Sequence, residues 1–331
     1  MVLAIDGGNS KTALALVAGD GTMLAALRGP GASQEAYGVD GAMLRLGEMV
    51  DAVAEIAGIP RDGGPVARHT SACLAGADLP EEEQALTAAL GAQGWSESAI
   101  ALNDTFAVLR AGADDPAPGE RAWGAAVTCG AGINCVAVAP DGRAYRYLSF
   151  GPVSGDLGGG YWLGQQVMWH AIRAEDGRGP ATALAAAAPA HFGLATAADV
   201  AIAQHKGTIA RADLLRLTTV LFDAADAGDT VAREVLALQA EEICVMAVNA
   251  MRQIGLESAE DVPVVLGGGV LEARNDVLIG MVSSRLAALA PGAVPRVVDV
   301  PPVAGAALLG LDHRNAGPAA AQRLRESYRG S

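Results

Sequence analysis

One pattern occurs twice in this chain and constrains its fold more than any other feature. An apolar run over residues 2–5 leads into Asp6-Gly7-Gly8-Asn9-Ser10-Lys11-Thr12, resumes over residues 13–18 and ends at Gly19-Asp20-Gly21. Residues 123–128 lead in the same way into Cys129-Gly130-Ala131-Gly132-Ile133-Asn134, then a second run over 135–139 and the turn Pro140-Asp141-Gly142. Short continuous apolar runs predict buried strands, glycines permit positive φ and close backbone approach, and Asp-Gly marks a hairpin turn. The glycine-to-turn spacing, Gly8 to Gly21 and Gly130 to Gly142, is nearly the same in both. One such hairpin is ordinary, but a strand, glycine loop, strand, turn, strand module in each half predicts two equivalent domains with both loops on one cleft.

The 331-residue length agrees, because it exceeds the usual single-core size and suits two domains of about 100 to 200 residues each. Hydrophobic residues make up 51% but aromatics only 4%, so the core must come from Ala, Val, Leu and Ile, which favours helices layered on sheets. A formal net charge of -14 argues against nucleic acid and anionic membranes as partners. Cys73, Cys129, Cys135 and Cys244 lack Cys-x-x-Cys spacing, which points to reduced, buried thiols rather than zinc or an iron-sulfur cluster. No charged-then-apolar leader precedes Val2 and no apolar stretch reaches membrane-spanning length, so the expected compartment is the cytoplasm.

Between the two modules the pattern predicts a strand over 23–26, a loop over 28–34 and a helix closed by Gly58. A polar segment then leads to a strand over 69–76, a helix opening at Leu79-Pro80-Glu81-Glu82-Glu83, and a strand over 99–103. Asp104 follows at the head of a helical run, where position alone favours a helix cap over catalysis. Residues 113–120, polar and proline-bearing, are the expected linker; they divide domain 1–115 from domain 116–316, with 317–331 as a tail that is either a surface helix or disordered. Asp156, in the glycine-dense segment 149–160, reads equally as the cap of a helix starting near Tyr161 and as part of a loop held against a small ligand. Helices are expected over 180–208, 213–227 and 231–254, a strand over 261–266, a helix from about Val270, a last strand over 297–300 and a helix over 305–311. Gly267-Gly268-Gly269 serves either as a tight strand-to-helix turn or as a surface for a flat base and its sugar.

The sequence shows no nucleophile elbow, Ser-His-Asp frame or metal-ligating histidine pair, and residues 6–12 do not match a Walker loop. What remains is strand-end Asp residues beside glycine loops, which suits a reaction needing positioning, a metal and one base, such as phosphoryl transfer.

In these motifs and their order the chain resembles the acetate kinase, hexokinase and actin superfamily, and within it the BadF/BadG/BcrA/BcrD ATPase family with its N-acetylglucosamine kinase branch. Residues 6–12 are similar to the first phosphate motif, Leu102-Asn103-Asp104 to the segment with the sugar-binding Asp, and Cys129-Gly130-Ala131-Gly132-Ile133-Asn134 to the second phosphate motif. Gly155-Asp156-Leu157-Gly158 with Tyr161-Trp162-Leu163-Gly164 is similar to the sugar segment, and Leu266-Gly267-Gly268-Gly269 to the adenosine motif. The resemblance implies an α/β, two-domain actin-like ATPase fold of the ribonuclease H-like kind, with a duplicated mixed-sheet module and a cleft between the domains. It implies an ATP-dependent kinase of N-acetylglucosamine or a related amino sugar, using ATP and Mg2+. Asp104 would be the catalytic base and Asp6 the metal anchor. ATP contacts would come from Gly7, Gly8, Asn9, Ser10, Lys11, Thr12, Gly130, Ala131, Gly132, Gly267, Gly268 and Gly269, and sugar contacts from Ser33, Gln34, Asp104, Ile133, Asn134, Gly151 and Asp156.

Two departures stand out. The family's second phosphate loop reads Gly-Thr-Gly-Ser, whereas Ala131 and Ile133 carry no hydroxyl and leave the contacts to backbone amides. Ser33-Gln34 stands where the N-acetylglucosamine kinases place an Asn-His pair. A nucleotide-dependent switch coupled to a partner protein and a non-catalytic sugar sensor stay open as alternatives, and so does a homodimer.

Overall fold

The computed structural model describes residues 1–60, 64–117 and 119–330. Residues 61–63 of the polar segment before the 69–76 strand, residue 118 of the expected linker and residue 331 of the tail lie outside the described residues.

The continuous apolar run makes β1 (Val2–Gly7) a strand buried on both faces: Leu3 and Ile5 enter one core, Val2 and Ala4 another. Antiparallel strands β2 (Lys11–Val17) and β3 (Met23–Pro30) follow. The helix α1 (Gln34–Ile56) packs Leu46, Val50 and Val53 under the sheet and ends before Gly58, whose φ of 68° only glycine adopts freely. Next come β4 (Ala67–Leu74), α2 (Pro80–Ala92), β5 (Ser96–Asn103) and α3 (Asp104–Gly112). β4 and β5 run parallel to β1, giving the sheet order β3-β2-β1-β4-β5.

The second module contains β6 (Gly124–Cys129), β7 (Ile133–Val138) and β8 (Ala144–Arg146), a 3-10 turn at Gly151–Ser154, and helices α4 (Gly159–Glu175), α5 (Leu184–His191) and α6 (Ala197–His205). It continues through a 3-10 turn at Arg211–Arg216, α7 (Leu217–Asp226), α8 (Thr230–Gln253), β9 (Val262–Gly267), α9 (Gly269–Glu272), α10 (Asp276–Leu289) and β10 (Ala293–Val297). The chain returns through α11 (Pro302–His313) and α12 (Pro318–Arg329). The second sheet, taken from β8, has the order β8-β7-β6-β9-β10, so the repeat expected for three strands extends to five.

Several expectations need correction: β3 runs on to Pro30, into the expected loop, the helix expected over 180–208 is divided into α5 and α6, and the one expected from 213 opens in a 3-10 turn. The last strand is β10 at Ala293–Val297, not residues 297–300: Pro295 and Arg296 interrupt its apolar run, and its residues are only half-buried. α1 begins at Gln34, well before its apolar stripe, because Ser33 caps it and its first turns are exposed; Gly38, at φ 67°, kinks it there. The helix from about Val270 is two helices, since Asn275 caps a new one by accepting from the Leu278 amide.

Packing divides the chain into two compact units. One contains Met1–Ala126, Val136–Leu148 and the segment from Val298 onward; the other contains Val127–Cys135 and Ser149–Val297. The tail is therefore neither disordered nor loosely attached. Ala320, Ala321 and Leu324 of α12 enter the same core as Val2, Ala4, Ala15 and Val17. Arg325, 7% exposed, donates to the carbonyls of Arg110 at 3.1 Å and Ala113 at 3.0 Å, satisfying groups that the end of α3 leaves unpaired. Arg110, 1% exposed, pairs with Asp312 of α11 at 2.7 Å and with Asp115 at 2.8 Å. Among the described residues no helix is long and apolar enough to cross a membrane.

Candidate active site

The first unit gathers its polar groups at one sheet edge because three neighbouring parallel strands end level. Register pairs Gly7 with Leu74 and Leu74 with Asn103, so the turns after β1, β4 and β5 emerge together, where ligands of α/β sheets bind. Asp6 is half-buried one residue before the end of β1. The loop after it closes with Gly8 N donating to Lys11 O at 3.0 Å, and Ala32 N donates to Gly8 O at 3.2 Å, which lays residues 31–35 beside the loop. Asn9 and Ser10 are exposed, as is Lys11; Thr12 is buried in β2.

Asn9 Nδ2 donates to Glu35 Oε2 at 2.8 Å. Gln34 donates its side-chain amide to the Gly76 carbonyl, joining the loop before α1 to the turn after β4. Ser33 is buried, and its hydroxyl accepts from Ala36 N as the α1 cap.

Asp104 is not the cap that its position suggested. Asn103 takes that role, its Oδ1 accepting from Thr105 N at 3.1 Å, which leaves Asp104 as the first helical residue and half-buried. Burial pushes its carboxyl up to about 6, helped by the Glu35 charge and opposed by the Thr105 amide. Asp78, in the adjoining turn, is pushed up to about 7, first by burial and then by the charges of Asp104, Glu35 and Glu82. Glu35, Asp78, Glu83 and Arg146 were not singled out in the sequence as site residues. The acidic run Glu81-Glu82-Glu83 reads as a dipole complement to α2, and nothing marks the exposed-looking strand around Arg146.

In the second unit the loop after β6 is held by backbone. Gly130 N donates to Gly132 O at 2.9 Å, Gly160 N to Gly130 O at 2.8 Å, and Tyr161 N to Ala131 O at 3.0 Å. Two close approaches need glycine: a Cβ on Gly159 would sit 2.5 Å from the Gly132 carbonyl carbon, and one on Gly268, at φ 83°, 2.6 Å from that of Cys129. The segment 267–269 is thus brought against the loop. Gly267 ends β9, Gly269 opens α9, and Gly268 N donates to Glu272 Oε1 at 2.9 Å. The amides of Ala131 and Gly132 have no partner among the described residues, and both residues are exposed. Unpartnered amides on exposed residues are chemically able to receive an anion.

Ile133 is buried, and Asn134 is half-buried with Oδ1 accepting from Cys135 N at 2.7 Å. Asp156 does not cap α4. Its Oδ2 accepts from Ser154 Oγ at 2.6 Å and Gly151 N at 3.1 Å, closing the turn at 151–156, and Gly158 precedes the helix. A groove of about 730 Å3 between α8 and α10, lined by Arg233, Glu241, Met281 and Arg285 among others, contains none of these residues.

The sheet order and strand-end turns define the actin-like ATPase fold, and structures of sugar kinases share it. A Chromobacterium violaceum protein assigned as an N-acetylglucosamine kinase superposes with a TM-score of 0.69 at 25% identity, covering 94% of this chain and 98% of its own. A ROK family glucokinase from Streptomyces griseus, in complex with glucose and AMPPNP, does so with a TM-score of 0.56 at 13% identity, over 95% and 98%. By sequence, residues 3–310 match the BadF/BadG/BcrA/BcrD ATPase family, and the chain belongs to it. An N-acetyl-D-glucosamine kinase of Dictyostelium discoideum is 26% identical over 323 residues, 94% of this chain and 98% of that one. An N-acetylmuramic acid/N-acetylglucosamine kinase of Clostridium acetobutylicum is 25% identical over 277 residues, 83% and 86% of the two chains. Both relatives are named as kinases of N-acetylated amino sugars.

Proposed function

We propose that this protein is an ATP-dependent sugar kinase, a phosphotransferase with an alcohol acceptor, and that its substrate is N-acetylglucosamine or a related amino sugar. The observation that carries this reading is that Asn103 takes the capping role, which leaves a half-buried carboxylate, Asp104, at the same end of the sheet as the Gly8 loop, with the end of β4 between them. In the proposed reaction Asp104 accepts the proton of the attacking sugar hydroxyl, help worth roughly 100- to 10,000-fold. Its carboxyl, raised to about 6, is closer in basicity to a useful general base than an exposed Asp.

The donor set fits magnesium bound together with a nucleotide. No cluster of three or more His, Cys, Asp or Glu suited to a metal exists among the described residues, and Mg2+ characteristically takes one or two carboxylates plus substrate phosphates and water. Asp6 is the carboxylate assigned to it. When bound, the ion neutralises charge on the transferring phosphoryl group. Each unit brings its own phosphate-binding candidate: the Gly7-Gly8 turn in the first, and the amides of Ala131 and Gly132 in the second. Asp156 would meet sugar hydroxyls through Oδ1, because Oδ2 is committed to the Gly151–Ser154 turn. Residues 1–115 and 116–316 are read as the two copies of the duplicated module.

The test is ADP release from Mg-ATP with N-acetylglucosamine, glucosamine, N-acetylmannosamine, glucose and anhydro-muramic acid, with product masses measured. A mass gain of one phosphate on an amino sugar is expected. ADP release with no phosphorylated sugar in any arm would replace the kinase with an ATPase.

A further inference from the structure

A helix cap needs one bond, from a side-chain oxygen to an amide of the first turn. Asn103 has that bond and several more. Its backbone N donates to Glu83 Oε1 at 2.9 Å, its Nδ2 to Asp78 Oδ1 at 2.8 Å, and Thr105 Oγ1 donates to its Oδ1 at 2.5 Å. The residue is 1% exposed. Its two carboxylate partners come from the turn into α2 and from α2 itself, so the residue just before Asp104 is held from outside its own helix.

The carboxylate that receives the Asn103 amide is itself held. Arg146 Nη1, from β8, donates to Glu83 Oε1 at 2.7 Å and to Ala77 O at 3.2 Å, the residue before Asp78. Arg146 thus grips both walls of the cage around Asn103, and the Arg146 and Glu83 side chains are only 16% and 19% exposed. A pair this sheltered is not the loose surface kind that contributes little. The groups facing the region are Asp6 of β1, Glu35 from the start of α1, Cys73 of β4, Asp78 in the turn before α2, Glu82 and Glu83 at the head of α2, and Arg146. An acid-rich edge of this kind pushes its members apart unless a cation fixes them.

We propose that Arg146, acting through Glu83 and Asn103, is a positioning residue for Asp104, so that a side chain of the second sequence module sets the geometry of the proposed base in the first. The inference rests on the kinase reading of Asp104. Precise placement of a base is a catalytic requirement that helix stability alone does not impose.

The test compares Arg146→Met, Arg146→Lys and Glu83→Gln with wild type, each first checked for folding by circular dichroism and thermal midpoint. Arg146→Met is expected to lower kcat about tenfold or more with KM for ATP changed less than about twofold, because a misplaced base slows transfer without weakening nucleotide binding. Arg146→Lys keeps the ion pair and should recover most of kcat. Glu83→Gln keeps the acceptor for the Asn103 amide but not the charge that holds Arg146, and should fall between the two.

A second arm needs no turnover. Amide hydrogen exchange at Asn103 and Thr105 should quicken about tenfold in Arg146→Met and recover in Arg146→Lys. Unchanged exchange overturns the relay, and faster exchange with kcat within twofold of wild type reduces it to a structural cap. A wild type that phosphorylates no sugar would sink the kinase reading instead, with the exchange arm still reporting whether Arg146 holds Asn103.

Discussion

The two glycine hairpins occupy equivalent places in their sheets and are built from different chemistry. The first presents side chains: Asp6 before it, exposed Asn9, Ser10 and Lys11 on it, and a bond from Asn9 to Glu35. The second presents backbone. Thr128 stands where the repeat places Asp6, Ala131 has no polar side-chain group and Ile133 is buried, while Gly159 and Gly268 approach the loop closely and the amides of Gly160 and Tyr161 occupy the carbonyls of Gly130 and Ala131. A loop made of outward amides needs rigid support more than it needs particular side chains, and the glycines around 130–132 provide the close packing for it. The phosphate role proposed for the second hairpin therefore does not depend on the hydroxyls that Ala131 and Ile133 lack, whereas the role proposed for Asp6 in the first depends on its carboxylate.

If chemistry sits on the first side, the largest loss should come there. Asp104→Asn is expected to lower kcat by about 100- to 10,000-fold while ATP binding, followed by titration calorimetry, changes little. Near wild-type turnover would make Asp104 a structural residue. Wild-type kcat should rise with pH through about 6 as Asp104 loses its proton. Stability should run the other way. A carboxyl whose folded value is raised contributes most below the unfolded value of about 4 and loses that contribution as pH climbs through about 6. Asp104→Asn removes this loss, so its thermal midpoint should exceed wild type at pH 8 and not at pH 4.

The next contrast is between equivalent positions. Asp6→Asn should cost about 100-fold in kcat and raise the Mg2+ needed for half-activity, given that metal stabilisation of charge is worth several kcal/mol. Thr128→Ala should leave kcat within about threefold, because removing a lone hydroxyl has a far smaller effect. Equal losses in the two variants would erase the distinction between the hairpins.

On the backbone side the expected effect is on stability. Gly268→Ala demands a positive φ and a Cβ inside the Cys129 backbone, and should cost about 1–3 kcal/mol in denaturant unfolding as well as weakening ATP binding. Unaltered stability would show that the 267–269 segment does not brace the loop. The smallest effect is a gain: Ala131→Thr restores a family hydroxyl and should tighten ATP by about two- to tenfold, the net value of one hydrogen bond.

Much of this was legible in the sequence for a physical reason. Buried strands write continuous apolar runs, and a duplicated run with a duplicated glycine turn declares a duplicated sheet, which is why β1, β2, β6 and β7 fall where expected. Edge strand β10 has half-buried residues and a proline, so its signal was weaker than that of the apolar residues just after it. The Asn103-Asp104 pair shows the limit at the site. Both residues can cap, and only the backbone geometry decides which does; the decision moves Asp104 from structure to candidate chemistry. The Arg146–Glu83–Asn103 chain could not be read at all, because a pairing between β8 and α2 leaves no periodic trace in either segment.

The packing of α11 and α12 against β1 and β2 has a consequence for biosynthesis. Val2, Ala4, Ala15 and Val17 leave the ribosome early, yet the residues that cover that face, from Val303 to Leu324, are made roughly 300 positions later. At about 5–20 residues per second, β1 and β2 wait tens of seconds with one side uncovered while the whole intervening unit is synthesised. That unit has its own core and can close first. The β1–β2 hairpin, made before the unit that follows it, is thus completed after that unit, and chaperone demand should concentrate on it.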